Sequence, residues 1–265
     1  MIRLEDKPLS ARLLKELSDF QRQVDDHSSP IEKSTRLWKT YQKRKSFKII
    51  ETLLREMCPN IENCCYCEDG SAEDIDHFFP KSGYPELTFA WCNYLYACAS
   101  CNRAKGTRFM MIDDYGDDID NQPVAGSPKL INPRYENPMD FLQLEFRDFN
   151  YEPISVLNKH DKKRVDYTIV MLQLNRSRLQ SKRKDAFDGF LLWIDGYEHK
   201  RHRSDLGYHI QNLKKRQHLS VWEEMRRIYR HERFDSLKQS NENLQFLGDA
   251  FRRVPEALEI TFIPQ

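Results

Sequence analysis

Apolar residues recur at helical spacing in the first 57 residues of the chain. Within residues 9–24 the large apolar side chains lie three or four positions apart, at Leu13, Leu17, Phe20 and Val24. This spacing puts them on one face of a helix, as in a helix that packs against a core. The segment therefore predicts an amphipathic helix that begins soon after Pro8 and Ser10.

A second helix is predicted to begin at Ser29 and to run to about Met57. Ser29 would cap this helix, Pro30 would occupy its first position, and Glu32 would complete a capping box. Its apolar stripe consists of Ile31, Thr35, Trp38, Phe47, Ile50, Leu54 and Met57. The basic triplet at residues 43–45 interrupts the stripe, either as a solvated face or as a contact for nucleic-acid phosphate.

The C-terminal half has the same helical pattern. Helices are predicted from about His160 and from Arg176, after two short extended segments at residues 130–133 and 141–146. Their apolar positions are Val165, Ile169, Leu172, Leu179, Ala186, Phe190 and Trp193. Asn175 would end the first helix or cap the second. Basic residues are concentrated here with acids interleaved, which fits either a phosphate-tracking surface or ordinary solvated helices.

Composition and charge indicate the broad class to which the protein belongs. The chain has 265 residues, of which 31% are charged, and its net charge of +1 does not by itself indicate a nucleic-acid partner. The N-terminus lacks the apolar core of a secretion signal, and no apolar run approaches the roughly 18 residues of a membrane span. We therefore expect a soluble, cytoplasmic protein with no membrane partner.

All seven cysteines lie within residues 58–105. Two C-x-x-C pairs frame this segment, Cys64/Cys67 and Cys98/Cys101. Each such pair presents two thiolates to one side of a tetrahedral zinc ion, and four thiolates close the site, so the predicted zinc is structural. The remaining cysteines are Cys58, Cys65 and Cys92, with Cys65 an alternative ligand. An odd number of cysteines in one segment favours thiolate chemistry in a reducing compartment over a disulfide framework.

Groups suited to hydrolytic chemistry lie between the cysteine pairs and directly after the second pair. Asp76 and His77 open the sequence DHFFPKS, Asn93 lies midway to the second pair, and Asn102 follows Cys101 directly. A histidine can accept a proton from water at neutral pH. Aspartate and amide oxygens suit a hard cation such as Mg²⁺. An isolated Asp-His pair is more often structural, so a catalytic assignment depends on the other sequence motifs around it.

The order of these elements resembles the HNH endonuclease signature: C-x-Y-C, D-x-D-H-F-x-P-K-S, W-x-N and C-x-x-C-N-x-x-K-G. The resemblance implies a β-β-α-metal nuclease core with a zinc knuckle in residues 58–112. A helical segment would precede it in residues 1–57. An acidic loop and a C-terminal helical region, suited to partner or DNA contacts, would follow in residues 113–265. The expected fold class is mainly α with a small α+β insert, which the four-cysteine zinc site staples together.

The resemblance also implies a role for each matching residue. His77 would be the general base, and Asp76 and Asn102 would bind the catalytic divalent cation, Mg²⁺ or Mn²⁺. Asn93 would hold the loop and orient the histidine. The family often has His where this chain has Asn102. Two further carboxylates that could support the site are Glu73 and Asp74.

Flanking motifs make the resemblance narrower. Leu-Ile-Asn-Pro at residues 130–133 with Asn137-Pro138, and residues 168–183 around Leu174-Asn175, resemble the HNH endonucleases attached to retrons and to the Septu antiphage system. Such a protein is a bacterial defence effector, and a partner ATPase controls when it cuts. In retron-linked members a reverse transcriptase and its DNA–RNA product complete the assembly.

The hypothesis that follows is metal-dependent hydrolysis of DNA phosphodiester bonds, with the phosphates held by Lys81, Lys105 and Arg108. Three alternatives remain. One is a free-standing nuclease of the restriction type, and another is a zinc-stabilised module that binds nucleic acid or protein without catalysis. The third is a redox thiol protein that uses the three cysteines outside the C-x-x-C pairs.

Overall fold

The computed structural model describes residues 1–58, 62–70, 72–113, 117–119, 126–200 and 206–262. These residues are mainly helical. The helices are α1 (Ala11–Asp25), α2 (Pro30–Tyr41), α3 (Lys45–Met57), α4 (Ala99–Lys105), α5 (Lys159–Met171), α6 (Ser177–Lys200), α7 (Leu206–Lys214), α8 (Leu219–Tyr229), α9 (Phe234–Leu237) and α10 (Glu242–Arg253).

Short antiparallel sheets and five 3-10 helices complete the described secondary structure. The strands are β1 (Ala72–His77), β2 (Tyr94–Cys98), β3 (Met111–Ile112), β4 (Asp118–Ile119), β5 (Ser127–Pro128), β6 (Leu142–Leu144) and β7 (Tyr151–Pro153). Strand β1 pairs with β2, β3 lies between β4 and β5, and β6 pairs with β7. The expected mainly helical class with a small α+β part is thus confirmed at this coarse level.

Helix α1 confirms the prediction from hydrophobic spacing. The four apolar residues of the predicted stripe are buried along it: Leu13, Leu17, Phe20 and Val24. The Ser10 side chain caps the helix by accepting a hydrogen bond from the Leu13 amide. The spacing of apolar residues was sufficient to predict this helix, because the helix packs on one side only.

The prediction of one helix from Ser29 to Met57 is wrong, because the chain breaks into α2 and α3 at residues 42–44. On a continuous helix of 3.6 residues per turn, the stripe through Trp38 and Tyr41 and the stripe through Ile50 and Leu54 would lie on nearly opposite sides. The break turns both stripes toward one core, where all four side chains are buried.

The start of α2 differs from the predicted capping box. Pro30 occupies the first position as expected, but the Ser29 side chain makes no capping hydrogen bond. The Ser29 amide instead donates to His27 Nδ1 at 3.0 Å. The predicted stripe is also only partly buried: Trp38 is buried, whereas Ile31 and Thr35 are exposed.

The central segment forms the unit β1–β2–α4. His77 pairs with Tyr94 at one end of the ladder and Ala72 pairs with Cys98 at the other, with a bulge at residue 73. Cys98 ends β2 and also caps α4, so the helix follows the strand without a loop. Helix α4 packs on both strands.

The C-terminal helices begin close to where the pattern predicts. Helix α5 begins at Lys159 and α6 at Ser177. Asn175 neither ends α5 nor caps α6. Its side chain accepts from the Tyr151 amide and donates to the Tyr151 carbonyl, both at 2.8 Å, and so ties the segment between the helices to β7. Residues 130–133 form no strand, whereas β6 lies within the predicted segment 141–146.

One cluster of buried apolar side chains includes residues of α1, the central unit and the C-terminal helices. Polar contacts tie the central unit to α8: Glu68 accepts hydrogen bonds from the Ser220 amide at 3.0 Å and from the Ser220 hydroxyl. The Met1 amino group also donates to Glu68, at 2.7 Å. Among the described helices, none is long and apolar enough to cross a membrane.

His218 lies beside this network as a buried histidine with a positive φ of 55°, immediately before α8. In the described part of the chain, neither of its ring nitrogens has a hydrogen-bond partner. Burial lowers the pKa of His218 to about 4, with Glu68 opposing this and Arg183 adding to it. The folded protein therefore holds this ring neutral.

We predict that His218 makes folding stability sensitive to acid. Because the pKa is about 6.5 in the unfolded chain and about 4 in the folded one, its contribution is complete above pH 6.5 and is lost as the pH falls toward 4. The loss should be roughly 3 kcal/mol. Urea unfolding at pH 7.5 and pH 4.5 measures it, and His218→Asn, which tolerates a positive φ, should lose correspondingly less stability.

His199→Asn is the matched control, since His199 is exposed on α6. This variant should keep the pH dependence of the wild type. An equal loss of stability in His218→Asn and the wild type would contradict the assignment.

Candidate active site and four-cysteine cluster

The four cysteines of the two C-x-x-C pairs come together in a buried cluster, formed by Cys64, Cys67, Cys98 and Cys101. Their sulfur atoms all lie within 4.8 Å of one another, and Cys67 Sγ is 3.8 Å from Cys98 Sγ. Zn–S bonds of about 2.3 Å in a tetrahedron require S–S distances of about 3.8 Å. The cluster is therefore compatible with structural zinc.

Local structure presents these thiols to one point. The turn at residues 64–67 is closed by the Glu68 amide, which donates to the Cys64 carbonyl at 2.9 Å. Cys98 Sγ accepts a hydrogen bond from the Cys101 amide at 3.4 Å at the start of α4. Hydrogen bonds from the other three cysteines hold the pKa of Cys98 well below its usual range, and the pKa of those three is raised. The four thiols by themselves therefore favour one thiolate, at Cys98.

The remaining cysteines do not join the cluster. Burial raises the pKa of Cys58 and of Cys65 to about 12, and Cys92 is exposed on its own. Thiols with a raised pKa are poor nucleophiles, since the thiolate is the reactive form. This observation gives no support to the redox-thiol alternative.

An arginine of the C-terminal region lies against the cluster. Burial lowers the pKa of Arg176, but the neighbouring Cys101 and Cys67 offset this and raise it. A guanidinium at this position suits a zinc tetrathiolate, which carries a net charge of −2. The sequence alone does not indicate this role for Arg176, because 75 residues separate it from Cys101 along the chain.

A cavity of about 560 Å³ lies between the α2–α3 pair and β1. Five of the predicted site residues line it: Asp76, His77, Lys81, Asn102 and Lys105. Glu73 and Asp74 line it as well, whereas Asn93 and Arg108 do not. Because β1 pairs with a strand on one side only, residues from both of its faces can border a cavity at its unpaired edge.

Both carboxylate oxygens of Asp76 have partners inside the protein. Oδ1 accepts from Lys105 Nζ at 2.9 Å, and Oδ2 accepts from the Tyr66 hydroxyl at 2.7 Å. Lys105 Nζ also donates to the His77 carbonyl at 2.6 Å and is only 1% exposed. Lys105, which was predicted to hold phosphate, is therefore paired with Asp76, which was predicted to hold a cation.

Asn102 lies one helical turn before Lys105 on α4 and faces the other aspartate of the strand. Its Nδ2 donates to Asp74 Oδ2 at 2.9 Å. This bond leaves the amide oxygen of Asn102 as the atom that can serve a cation. The pairing follows from geometry, since residues two apart share a strand face and residues three apart share a helix face.

His77 is held in one tautomer. Its Nε2 lies 2.9 Å from the Thr88 carbonyl oxygen, which can only accept, so Nε2 carries the proton and Nδ1 keeps its lone pair. The Trp38 ring packs edge-on at 4.3 Å between centroids. Burial, aided by the Lys81 charge, holds the pKa of His77 well below its usual value. The ring is therefore a neutral base that is 4% exposed.

Asn93 fastens the loop that follows β1 but does not touch His77. Its Oδ1 accepts from the Phe79 amide at 2.7 Å, and its Nδ2 donates to the carbonyls of Phe79 and Leu87, both at 3.0 Å. The next loop residue, Thr88, supplies the carbonyl that holds the His77 ring. Asn93 thus lies where it can orient the histidine indirectly.

The other two predicted phosphate ligands lie in different surroundings. Lys81 Nζ is 5.6 Å from the Trp38 ring centroid at the cavity wall, and burial lowers its pKa. Arg108 is exposed, and its guanidinium donates to the Ala104 carbonyl. Lys81 therefore borders the candidate site and Arg108 lies outside it.

Comparison with known proteins gives three relatives of low identity. A stretch of 107 residues is 32% identical to the Septu protein PtuB of Bacillus thuringiensis, covering 38% of this chain and 34% of that protein. A stretch of 171 residues is 23% identical to the retron Vc95 putative HNH endonuclease of Vibrio cholerae serotype O1 biovar El Tor, covering 59% of this chain and 74% of that one. Protein ea31 of Escherichia phage lambda is 28% identical over 102 residues, with 34% of each chain covered.

No protein-family profile matches the chain. The chain spans about a third of the Septu protein and about three quarters of the retron protein. The resemblance drawn from the cysteine pairs, the Asp-His motif and the two asparagines is confirmed at this level: the chain is similar to the HNH-type proteins associated with retrons and with the Septu system.

Proposed function

We propose that this chain is an HNH endonuclease that hydrolyses DNA phosphodiester bonds with the help of a divalent cation. Its core would be the unit β1–β2–α4. The observation that carries the proposal is the cavity at the edge of β1, which gathers a neutral histidine, carboxylates, an amide and two lysines. The names of a Septu protein and a putative retron HNH endonuclease support a nuclease that serves bacterial antiphage defence.

The donor set of the cavity fits Mg²⁺ or Mn²⁺. Asp76 and Asn102 offer hard oxygen atoms, and Asp74 lies beside them. Apart from the cysteine cluster, no group of three or more Asp, Glu, His or Cys residues in the described ranges is close enough to hold an ion. The protein would thus supply two ligands and leave the other positions to water and phosphate, the usual pattern for Mg²⁺. Lys105 Nζ and such a cation would compete for Asp76 Oδ1, so only one of them would bind there at a time.

The cation would supply positive charge for the non-bridging and leaving oxygens of the phosphate. His77 would accept a proton from the attacking water at Nδ1, because Nε2 is committed to the Thr88 carbonyl. Asn93 and Thr88 would keep the ring in position through the loop after β1. Lys81, at the cavity wall, and Lys105, once released from Asp76, would hold the phosphate.

One observation favours a non-catalytic zinc module as the second candidate. Asp76 is 4% exposed and both of its oxygens are already paired, as in a structural ion pair. Such a module would need the four cysteines but not His77 or Asn102. Variants of the cavity residues therefore separate the two candidates.

We expect His77→Gln to lower DNA cleavage by about 10²- to 10⁴-fold, the usual contribution of a general base. Gln keeps an amide donor for the Thr88 carbonyl but cannot accept the proton. Plasmid cleavage with Mn²⁺ measures the effect, and zinc content and circular dichroism should be unchanged. His209→Gln is the control, since this partly buried histidine stacks on Trp193 outside the cavity. Wild-type rates in His77→Gln would disprove the assignment.

We expect Cys98→Ser to lose zinc and to unfold, because a four-thiolate zinc site contributes on the order of 10–16 kcal/mol to folding. Zinc content by mass spectrometry and thermal unfolding measure this. Cys92→Ser is matched in chemistry but lies outside the cluster, and it should retain about one zinc ion and the wild-type melting temperature. A folded, active Cys98→Ser protein without zinc would show that the cluster is not a structural zinc site.

The proposed defence role would include control by a partner ATPase. In a retron setting, a reverse transcriptase and its DNA–RNA product would complete the assembly. We expect the purified chain to cut plasmid DNA slowly and to cut faster when the ATPase encoded beside it is added. Equal rates with and without the ATPase would favour a free-standing nuclease of the restriction type.

A further inference from the structure

Ion pairs neutralise much of the positive charge that the sequence concentrates in the C-terminal helices. Arginines at the ends of α8 and α10 pair with acids, for example Arg230 with Glu259 at 2.8 Å and Arg253 with Asp195 at 2.6 Å. The other pairs of this region include Arg178–Asp69, Lys184–Asp188, Arg226–Glu223, Arg227–Glu224 and Lys238–Asp235. Arginines held by carboxylates have little charge left for phosphate.

Helix α2 and the turn after it present cations without such partners beside the candidate active site. Arg36, Lys39 and Lys43 are exposed, and none of them has a carboxylate within 4 Å in the described part of the chain. Their neighbours Arg44 and Lys48 are paired, with Glu16 and Glu51 respectively. We call Arg36, Lys39 and Lys43 the α2 cation row.

Helical geometry puts this row at the rim of the candidate active site. Thr35, Trp38 and Gln42 line the cavity that holds Asp76 and His77. The cation row follows each of these three by one position. Arg36 and Lys39 therefore form the neighbouring ridge of α2, about 100° around the axis, and Lys43 lies in the turn that follows the helix.

A second depression leads away from the cavity along the same helix. It is a groove of about 910 Å³ between α2 and the loop at residues 83–86, and Arg36 and Lys39 line it. Thr35 lines both the groove and the cavity, so the two adjoin at this residue. Two acids also line the groove, Glu32 one turn before Arg36 and Glu86 in the facing loop, so the cationic path does not extend along its whole length.

The row follows α2 into the turn after it. Arg36 and Lys39 are three residues apart on α2, about 4.5 Å at 1.5 Å per residue, and Lys43 follows in the turn after Tyr41. Unpaired guanidinium and ammonium groups in such a row suit the phosphates of one strand. Contacts to phosphate position a strand but do not read its base sequence.

We infer that the α2 cation row binds the phosphates of one DNA strand and leads that strand into the cavity at the edge of β1. The inference rests on the proposed nuclease function and deepens it, since it names the surface that tracks the substrate. It moves the phosphate contacts from the C-terminal helices, where the sequence concentrates base, to the N-terminal helical pair.

The test is the salt dependence of binding to a fluorescent 20-base-pair duplex, measured without added Mg²⁺ or Mn²⁺ so that cleavage plays no part and the zinc site is left intact. The variant is Arg36→Gln/Lys39→Gln/Lys43→Gln, because Gln removes charge and keeps helix propensity. Each lost phosphate contact lowers the slope of log K against log salt by about 0.9. We expect the slope to fall by about 2 to 3 and the affinity near 0.1 M salt to fall on the order of 10²-fold.

The matched control is Lys159→Gln/Lys182→Gln/Lys214→Gln, which removes the same charge from exposed lysines outside both cavities. Its slope should change by less than about 1, the contribution of one contact. An unchanged slope in the α2 variant, equal losses in both variants, or no DNA binding by the wild type would each overturn the inference.

The two proposals fail separately. If the wild type binds with the expected slope and the α2 variant loses it, but no cleavage follows with Mn²⁺ and the partner ATPase, the cation row stands and hydrolysis does not. If the wild type cleaves and the α2 variant keeps its slope, the nuclease stands and the cation row does not.

Discussion

The cysteine cluster is the constraint on which the central part of the structure depends. Two of its thiols come from the turn at residues 64–67 and two from the junction of β2 with α4, so the cluster joins two parts of the chain about thirty residues apart. Zinc in such a site would contribute as much free energy as the net stability of a typical domain, about 5–15 kcal/mol. The same turn also meets the C-terminal helices, through Arg176 beside the thiols and through Glu68 at Ser220.

The cysteine turn acts on the candidate active site through a single side chain. Tyr66, between two of the cysteines, donates its hydroxyl proton to Asp76. It therefore connects the cysteine cluster to the carboxylate at the end of β1. Helix α4 makes the second connection, because Asn102 and Lys105 follow Cys101 and face Asp74 and Asp76. The spacing of the cysteine ligands thus sets the register between α4 and β1.

The buried pair of Asp76 and Lys105 is better explained by chemistry than by stability. Removing two charges from water costs several kcal/mol, and a buried ion pair often contributes little net stability in return. Here the pair borders a cavity, next to a histidine whose pKa burial has lowered. Perturbed titratable groups of this kind concentrate at functional sites. The Tyr66 hydroxyl holds the carboxylate in place, and in the proposed mechanism a divalent cation would replace Lys105 at Oδ1.

The sequence by itself determined the features that depend on spacing within one segment. These local patterns are the α1 stripe, the start of α2 at Pro30, the two C-x-x-C pairs, and the order of the Asp-His motif and the asparagines. Tertiary structure decided what depends on distant partners. It broke the helix at residues 42–44 to bring two opposed stripes to one core, and it replaced the Ser29 cap with other contacts. It also brought Trp38 onto His77 and Tyr66 onto Asp76, and paired the C-terminal arginines with acids. The reason is that a local pattern specifies which face of a segment is apolar or charged, whereas only the packed chain specifies which other segment meets that face.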